Sequence, residues 1–282
     1  MTAPYIHGST DTERARLALM NDLINPRCLE ALQIDHEQRV LDVGAGTGQF
    51  TRLIADRLPP PDRVVAVERD PAQIAAAVGV AGDRPEMGGP VEFRQGEAQQ
   101  LPLQDEEWGT FDLAHARFVL EHVPDPERIV AGMVASVRPG GRVVLLDDDH
   151  EVMRFGPDTP ALDAAWSAYW RSYRTLGCDP LIGRRLVSLL HGAGARPVRA
   201  EQVFYGACAG EPAFNAVVDN LAGVLAGARE AVLAAGQISA AAYDQGLDEL
   251  TALASKPDGV VWYVINLAEG RRVGSDPERM PG

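Results

Sequence analysis

The sequence predicts an α/β fold with a doubly wound, mostly parallel sheet. Between residues 39 and 147, short apolar segments with strand character alternate with helical segments, which is typical of parallel strands joined by helices. A glycine-rich turn, residues 44–48, directly follows the first strand, and the acidic residue Glu68 ends the second. Ligands bind at the carboxyl ends of parallel strands in such folds, so both features predict a binding site at that edge of the sheet.

The elements of the first half follow from capping residues, prolines and apolar runs. Ser9 or Thr10 can cap a first helix, and the run Pro59-Pro60-Pro61 is predicted to end a later one. Helices are predicted over residues 10–24, 27–32, 49–57, 73–80 (with Pro71 at its start) and 127–137. Strands are predicted over residues 39–43, 64–68, 91–95, 111–115 and 142–147, with a loop over 83–90 and a Pro139-Gly140-Gly141 turn.

The second half predicts a helical cap on this sheet. Helices are expected over residues 151–176, 181–191 and 212–254, with a break at Gly236. Strands are expected over residues 198–205 and 260–267, so helices are inserted between the last two strands. One face of the first cap helix carries an aromatic stripe that can pack in the core or line an acceptor pocket: Trp166, Tyr169, Trp170 and Tyr173.

The amino-acid composition limits the kinds of molecule that the protein is expected to bind. The chain has 282 residues, a formal net charge of −14 and a pI near 4.8, so it repels phosphate backbones and anionic lipid surfaces. The three cysteines are widely spaced and show neither metal-ligand spacing nor a disulfide framework. No apolar run approaches 18 residues, and residues 1–17 lack a secretory apolar stretch. We therefore expect a cytoplasmic protein without nucleic-acid or membrane partners.

The glycine-rich turn indicates the type of cofactor. Residues 42–48 have the pattern D-x-G-x-G-x-G, which begins at Asp42 and ends at Gly48. A nicotinamide or flavin site prefers G-x-G-x-x-G, whose third glycine would fall at Gln49. The pattern therefore disfavours a dinucleotide, while Glu68 can still accept hydrogen bonds from a ribose diol.

This turn resembles the first motif of class I S-adenosylmethionine (SAM) methyltransferases. Three further segments resemble that family in the same order: RQGEAQQLP at 94–102, FDLAHARFVLEHVPDP at 111–126 and RPGGRVVLLDDD at 138–149. The resemblance implies a seven-stranded, Rossmann-like methyltransferase sheet with helical cap insertions, and SAM as the cofactor. It divides the chain into an N-terminal helical lid (1–36), a SAM-binding core (37–150), a cap with the last strands (151–273) and a disordered tail (274–282).

The resemblance also implies which residues hold SAM. An acid in the position of Glu97 binds the adenine amino group, although the family usually has Asp there, and the backbone of Ala98 meets the adenine ring. A lead-in formed by Tyr5, Gly8, Glu13, Arg16 and Leu17 resembles Y-x-x-G-…-E-x-x-R-L, in which the arginine pairs with the SAM carboxylate. The complete expected cofactor set is Arg16, Asp42, Gly44, Ala45, Gly46, Gly48, Glu68, Arg69, Glu97, Ala98, His115 and Arg117.

Methyl transfer requires little catalytic machinery beyond alignment of donor and acceptor. A hydroxyl acceptor also needs a general base near neutral pKa, so histidine is the first candidate. We predict His150 as this base because it follows the fifth strand at the ligand edge, whereas His122 suits a structural hydrogen bond. The contiguous run Asp147–Asp149 points its side chains in different directions, so no metal site is predicted.

The sequence therefore predicts a SAM-dependent methyltransferase for a small, hydrophobic acceptor, such as a secondary metabolite. Two alternatives share the same cofactor motifs: an enzyme that uses this site for non-methylating chemistry such as cyclisation, and a non-catalytic protein that binds SAM or a partner. The identity of the acceptor, its reacting atom and a homodimeric state are left open.

Overall fold

The computed structural model describes residues 11–58, 63–81 and 90–274. Its strands are β1 Arg39–Val43, β2 Arg63–Glu68, β3 Val91–Gln95, β4 Phe111–Arg117, β5 Val137–Asp147, β6 Arg154–Gly156, β7 Ala195–Cys208 and β8 Val260–Arg272. Its helices are α1 Asp11–Leu32, α2 Gln49–Ala55, α3 Pro71–Ala81, α4 Pro126–Ser136, α5 Pro160–Ser172, α6 Leu186–Gly192, α7 Phe214–Ala234 and α8 Ala240–Leu253. Tyr5, Gly8, Ser9, Thr10, Pro59-Pro60-Pro61, nearly all of the 83–90 loop and tail residues 275–282 lie outside the described residues.

One sheet unites all eight strands in the order β3-β2-β1-β4-β5-β8-β6, with β7 also paired to β8. The first five strands are parallel, and β8 runs antiparallel to β5, β6 and β7. The strand residues are apolar and pack on both faces of the sheet, which is typical of parallel sheets covered by helices. The predicted fold class is therefore observed, with one strand more than the seven expected.

The extra strand corrects the prediction of one long helix over residues 151–176. A single 3₁₀ turn, His150–Val152, is followed by β6, which pairs with the first residues of β8. Pro157 and Pro160 explain the difference, because the residue before a proline avoids the helical region. Helix α5 consequently begins at Pro160, where the missing N–H has no cost.

Other boundaries differ as well: the helix predicted from 181 begins at Leu186 after a 3₁₀ turn, and β7 and β8 are longer than predicted. Two further differences have a clear cause. The N-terminal segment forms one helix with Pro26 inside it, because buried residues before and after the proline, including Ile24 and Cys28, keep both halves against the core. Strand β5 begins at Val137 rather than 142, and residues 138–141 form an irregularity opposite β4, with Gly140 at φ 78°. The helices inserted between β7 and β8 are present as predicted.

A buried arginine joins the end of α1 to the sheet. Arg142 on β5 donates to both carboxylate oxygens of Glu269 on β8 at 3.0 and 3.2 Å and also bonds to the Glu37 carboxylate. It donates further to the backbone carbonyls of Leu32 and Gln33 at 2.8 and 2.9 Å. This one side chain therefore satisfies carbonyls at the end of the helix and two carboxylates.

We expect Arg142→Ala to lower the free energy of unfolding by about 3–5 kcal/mol, because it leaves the buried carboxylate of Glu37 without its cation and that of Glu269 with Arg199 alone. The matched control is Arg138→Ala, which removes a half-exposed ion pair with Asp112 and should change stability by less than about 1 kcal/mol. Urea unfolding measures both. Equal losses in the two variants would contradict the role assigned to Arg142.

Candidate active site

A cavity of about 780 Å³ lies at the carboxyl ends of β1, β2, β4 and β5. Helices α1 and α7 border it on one side, and α5 and β8 border it on the other. The glycine-rich turn and the end of β2 line one region, which we call the cofactor region. Aromatic and acidic side chains from the 3₁₀ turns, α5 and β8 line the second, which we call the acceptor region.

The three glycines of the turn have different functions. Gly44, Gly46 and Gly48 all have positive φ, which only glycine adopts readily. A Cβ at Gly44 would lie 2.3 Å from Val119, and one at Gly48 would lie 2.7 Å from the ring of Phe93. Gly48 therefore serves close packing and does not line the cavity, whereas Gly46 opens towards it and meets only the flexible end of Gln73.

Glu68 connects the end of β2 to this turn. Its carboxylate accepts the backbone N–H groups of Gly46 at 2.9 Å, Arg69 at 2.8 Å and Asp70 at 2.9 Å. A carboxylate offers about four acceptor positions, so one remains for a ligand hydroxyl. Arg69 also lines the cavity, and its backbone N–H is the group that donates to Glu68.

Asp42 and Arg117 lie beneath the turn. Burial raises the pKa of Asp42 to about 6, although the hydroxyl of Thr51, which donates to it at 2.6 Å, and the charge of Arg117 both lower that pKa. The guanidinium of Arg117 lies 4.1 Å from the ring centroid of Phe50. It also donates to the side-chain oxygens of Asn25 and Asn21 on α1 at 2.8 and 3.0 Å, so the helix is bonded to the floor of the cavity.

The other predicted cofactor residues also line the cavity. Arg16 of α1 donates to Asn220 of α7 at 3.1 Å, and Asn220 donates in turn to the hydroxyl of Tyr205 on β7. Ala45, Glu97 and Ala98 lie on the cavity wall. The predicted cofactor set is therefore brought to one cavity, with the single exception of Gly48.

His115 is enclosed within the sheet. Its Nδ1 lies 3.3 Å from the carbonyl of Val144, while its Nε2 has no hydrogen-bond partner. Burial, together with the charge of Arg117, lowers the pKa of His115 to about 3, so the imidazole is neutral. It can shape the cofactor region but is a poor proton acceptor.

His150 occupies the acceptor region as predicted, and it is paired with an acid. Its Nε2 lies 2.7 Å from Oε2 of Glu121, which follows β4, and burial lowers the pKa of His150. The other ring nitrogen, Nδ1, is buried without a partner. If Glu121 accepts from Nε2–H, the tautomer is set and Nδ1 keeps a lone pair.

The three aspartates after β5 diverge. Asp147 accepts backbone N–H groups of the segment after β4, and Asp149 pairs with Arg184 at 2.7 Å. Only Asp148 faces His150, and its Oδ2 lies 3.9 Å from Nε2. Glu121, Asp148 and His150 each offer one ligand atom within 4.8 Å of the others, which is a donor set that the sequence prediction of no metal site did not foresee.

Aromatic rings enclose His150. The ring centroids of Trp166, Tyr169, Tyr173 and Tyr263 lie 5.7, 5.6, 5.5 and 6.3 Å from that of the imidazole. Three members of the predicted aromatic stripe therefore line the acceptor region. The fourth stripe residue, Trp170, packs against arginines outside the cavity instead.

The sequence analysis did not identify three residues of the acceptor region as site residues: Glu121, Asp148 and Tyr263. The signal for the first two was present, because Asp148 directly follows β5 and Glu121 lies in the short turn after β4, and both strands end at the ligand edge. Tyr263 lies inside the last strand, and only the pairing of β8 beside β5 and β6 could reveal that its side chain reaches the cavity.

Part of the chain is similar to a known protein family. Residues 41–145, which include the glycine turn and most of β1 and β5, match the family of methyltransferase domains. This segment is a class I SAM-dependent methyltransferase domain. The family prediction made from the sequence motifs is thereby confirmed.

The chain is similar to curated proteins over different lengths. The ubiquinone/menaquinone biosynthesis C-methyltransferase UbiE of Methylobacterium nodulans is 34% identical over 46% of this chain and 48% of its own. An uncharacterised 37.1 kDa protein of a Streptomyces fradiae transposon is 30% identical over 86% of this chain and 64% of its own. The chain thus spans about half to two thirds of the length of these relatives.

Solved structures show that the fold extends beyond the methyltransferase domain. The [4+2]-cyclase SpnF matches with a TM-score of 0.52 at 18% identity, over 93% of this chain and 82% of its own. Geranyl diphosphate methyltransferase matches with a TM-score of 0.53 at 14% identity, over 88% and 77%. These similarities confirm the predicted fold class. In the described part of the chain, no helix has the length and apolar character to cross a membrane.

The acidic cluster should make stability depend on pH. Burial raises the pKa of Glu121 from 4.5 to about 8 and that of Asp148 from 3.8 to about 7. The folded protein therefore holds more protons than the unfolded chain until the pH exceeds about 8. We expect the free energy of unfolding to fall from pH 7 to pH 8.5. The buried histidines contribute little in this range, because their lowered pKa values keep them neutral in the folded protein and histidines of the unfolded chain are largely neutral there.

Urea unfolding at constant salt across this range measures the effect. Glu121→Gln removes the group with the higher pKa and should flatten the slope. Glu151→Gln is the control, because Glu151 is exposed and its pKa is lowered, so it titrates below the range. A wild-type slope that persists in Glu121→Gln would contradict the assignment.

Proposed function

We propose that the protein binds SAM and transfers its methyl group to the hydroxyl of a small-molecule acceptor. The observation that carries this proposal is one cavity lined both by the glycine-rich turn of a methyltransferase domain and by a buried His150–Glu121 pair. Cofactor and acceptor would then share one chamber, which alignment for methyl transfer requires.

The residues of the cofactor region fit SAM. Gly46 leaves space above the turn, Glu68 retains one acceptor position for the ribose, and Glu97 with Ala98 borders the place proposed for adenine. Asp42 is the proposed partner of the ammonium group of SAM, and Arg16 is the proposed partner of its carboxylate. Arg117 lies near Asp42. When bound, SAM supplies a methyl group on a positively charged sulfur that is already activated for displacement.

The proposed catalytic residue is His150. Above the raised pKa of Glu121, about 8, its carboxylate would accept Nε2–H. Nδ1 would then accept the proton of the acceptor hydroxyl, while the hydroxyl oxygen would take the methyl group and the cofactor sulfur would leave with the electrons of the carbon–sulfur bond. The imidazole becomes positively charged in this step, and the neighbouring carboxyls of Glu121 and Asp148 stabilise that charge. The surrounding rings exclude water from the same place.

The proposal extends to partners and to the arrangement of the chain. The net charge of −14 supports a protein without nucleic-acid or membrane partners that acts in the cytoplasm. Cyclisation or binding without catalysis would use the same cavity, and the mass of the product separates these alternatives, because only methylation adds a methyl group. The lid, core and cap boundaries, and a homodimer, stay predictions.

Calorimetry tests the cofactor. We expect SAM and its demethylated product, S-adenosylhomocysteine, to bind and NAD not to bind. Gly46→Val should abolish SAM binding, because a branched side chain would fill the open space above the turn and strain a positive φ. Gly79→Val is the control, since nothing lies within 4 Å of a Cβ there. Tight binding of NAD without SAM would contradict the proposal.

His150→Ala tests the chemistry once labelled SAM has identified an acceptor in a metabolite screen. We expect kcat to fall about 10²–10⁴-fold with SAM affinity nearly unchanged, because general-base catalysis contributes on that scale. His36→Ala, a change at an exposed surface site, should leave kcat as it is. An unchanged kcat with a hydroxyl acceptor would remove His150 from the mechanism, and loss of SAM binding would make it cofactor-facing.

A further inference from the structure

The acceptor region contains a buried carboxyl group, Glu121, and a largely buried one, Asp148, neither of which pairs with a lysine or arginine of the described residues. In the described part of the chain, the ion pairs of Glu121 are made only with His150 and His122, and that of Asp148 only with His150. No lysine or arginine pairs with either acid. Asp149, the next residue along the chain, shows the usual arrangement, because Arg184 binds both its carboxylate oxygens at 2.7 Å.

This arrangement is costly for the folded protein. A buried carboxylate is normally paired with a cation, and without one it retains its proton well above its ordinary pKa. Burial raises the pKa of both acids, and the charge of Glu121 raises that of Asp148 further, whereas a hydrogen bond from Asp148 lowers that of Glu121. The Oδ1 atom of Asp148 and the hydroxyl of Tyr263 are buried here without hydrogen-bond partners. The cluster therefore lacks a positively charged partner, and its unpaired polar atoms are available to bind one.

The aromatic wall indicates what kind of cation fits. Trp166, Tyr169, Tyr173 and Tyr263 line the same cavity as the two acids and surround His150. Ring faces attract organic cations, and rings combined with carboxylates are the usual way to bind alkylated ammonium groups. A metal ion would instead need oxygen and nitrogen ligands, but Oε2 of Glu121 and Nε2 of His150 are only 2.7 Å apart and already share a hydrogen bond.

We propose that the acceptor carries a positively charged nitrogen, which binds between Glu121, Asp148 and the aromatic wall beside the reacting hydroxyl. The acceptor class is thus an amino alcohol, or a larger molecule that presents such a group. This inference rests on the proposed function for the location of the acceptor. The charged nitrogen also lowers the pKa of a neighbouring hydroxyl, which helps His150 to take its proton.

A pair of isosteric probes tests the charge alone. Choline has a quaternary ammonium group beside a hydroxyl, and 3,3-dimethylbutan-1-ol has the same shape with a neutral carbon. Binding of each is measured by calorimetry or ligand-observed NMR with S-adenosylhomocysteine present, so that no cofactor sulfonium occupies the cavity. We expect choline to bind at least about tenfold more tightly than the alcohol, as charge and ring contacts of this type provide.

Isosteric variants locate the preference. Glu121→Gln and Asp148→Asn keep side-chain volume and should reduce the ratio to within about threefold. Glu151→Gln removes an exposed acid outside the cavity and should keep the full ratio. Calorimetry with S-adenosylhomocysteine shows that each variant is folded. A variant that does not bind it is replaced by Tyr263→Phe, which removes a polar atom of the same pocket and should also lower the ratio.

Three results would overturn the inference. The first is equal affinity for the two probes, including failure of both to bind at millimolar concentration. The second is a protein that shows no preference for choline and whose Glu121 and Asp148 variants lose affinity for SAM but not for S-adenosylhomocysteine. In that case the two acids would serve as the counter-charge of the cofactor sulfonium. The third is binding of Mn²⁺ that abolishes choline binding and is lost in the same variants. Failure of S-adenosylhomocysteine to bind the wild type counts against the proposed function instead, since the probe ratio can be measured without it.

Discussion

The parallel pairing of β1 with its two neighbours is the constraint on which the cavity depends. Asp42 lies opposite Ala66 of β2 on one side and His115 of β4 on the other. Because the three strands run in the same direction and in this register, they end together. The glycine turn, Glu68 and the segment that carries Glu121 therefore start from one edge of the sheet. A shift by one residue would turn every side chain to the opposite face.

The sequence was most informative where chemistry is encoded in neighbouring residues. The glycine turn, the acid at the end of β2 and the parallel strands could be predicted because each depends on local spacing. The partner of His150 could not, because Glu121 is 29 residues away and meets it only after β4 and β5 have paired. The short strand β6 was hidden for the same reason, since it depends on β8 more than 100 residues later.

The continuous helix α1 shows how packing can outweigh a local signal. Pro26 removes one hydrogen bond from the helix, and a break there was the natural expectation. Burial on both sides of the proline compensates for that loss, together with the bonds from Arg117 to residues before the proline and from Arg142 to the end of the helix. In the acceptor region, by contrast, an unfavourable local arrangement is retained. Its acids weaken the fold, and such local conflict is usual where a protein binds a ligand.

The position of β8 affects how the protein is made. This strand is the last of those that the structure describes, and it pairs with β5 and β6 along one edge and with β7 along the other. During synthesis, β5 therefore remains an open edge while the following residues, up to Val260, leave the ribosome. Domains that await a distant partner expose unpaired backbone for longer and fold more slowly. The wall of the cavity can be completed only after Tyr263 on β8 has been synthesised.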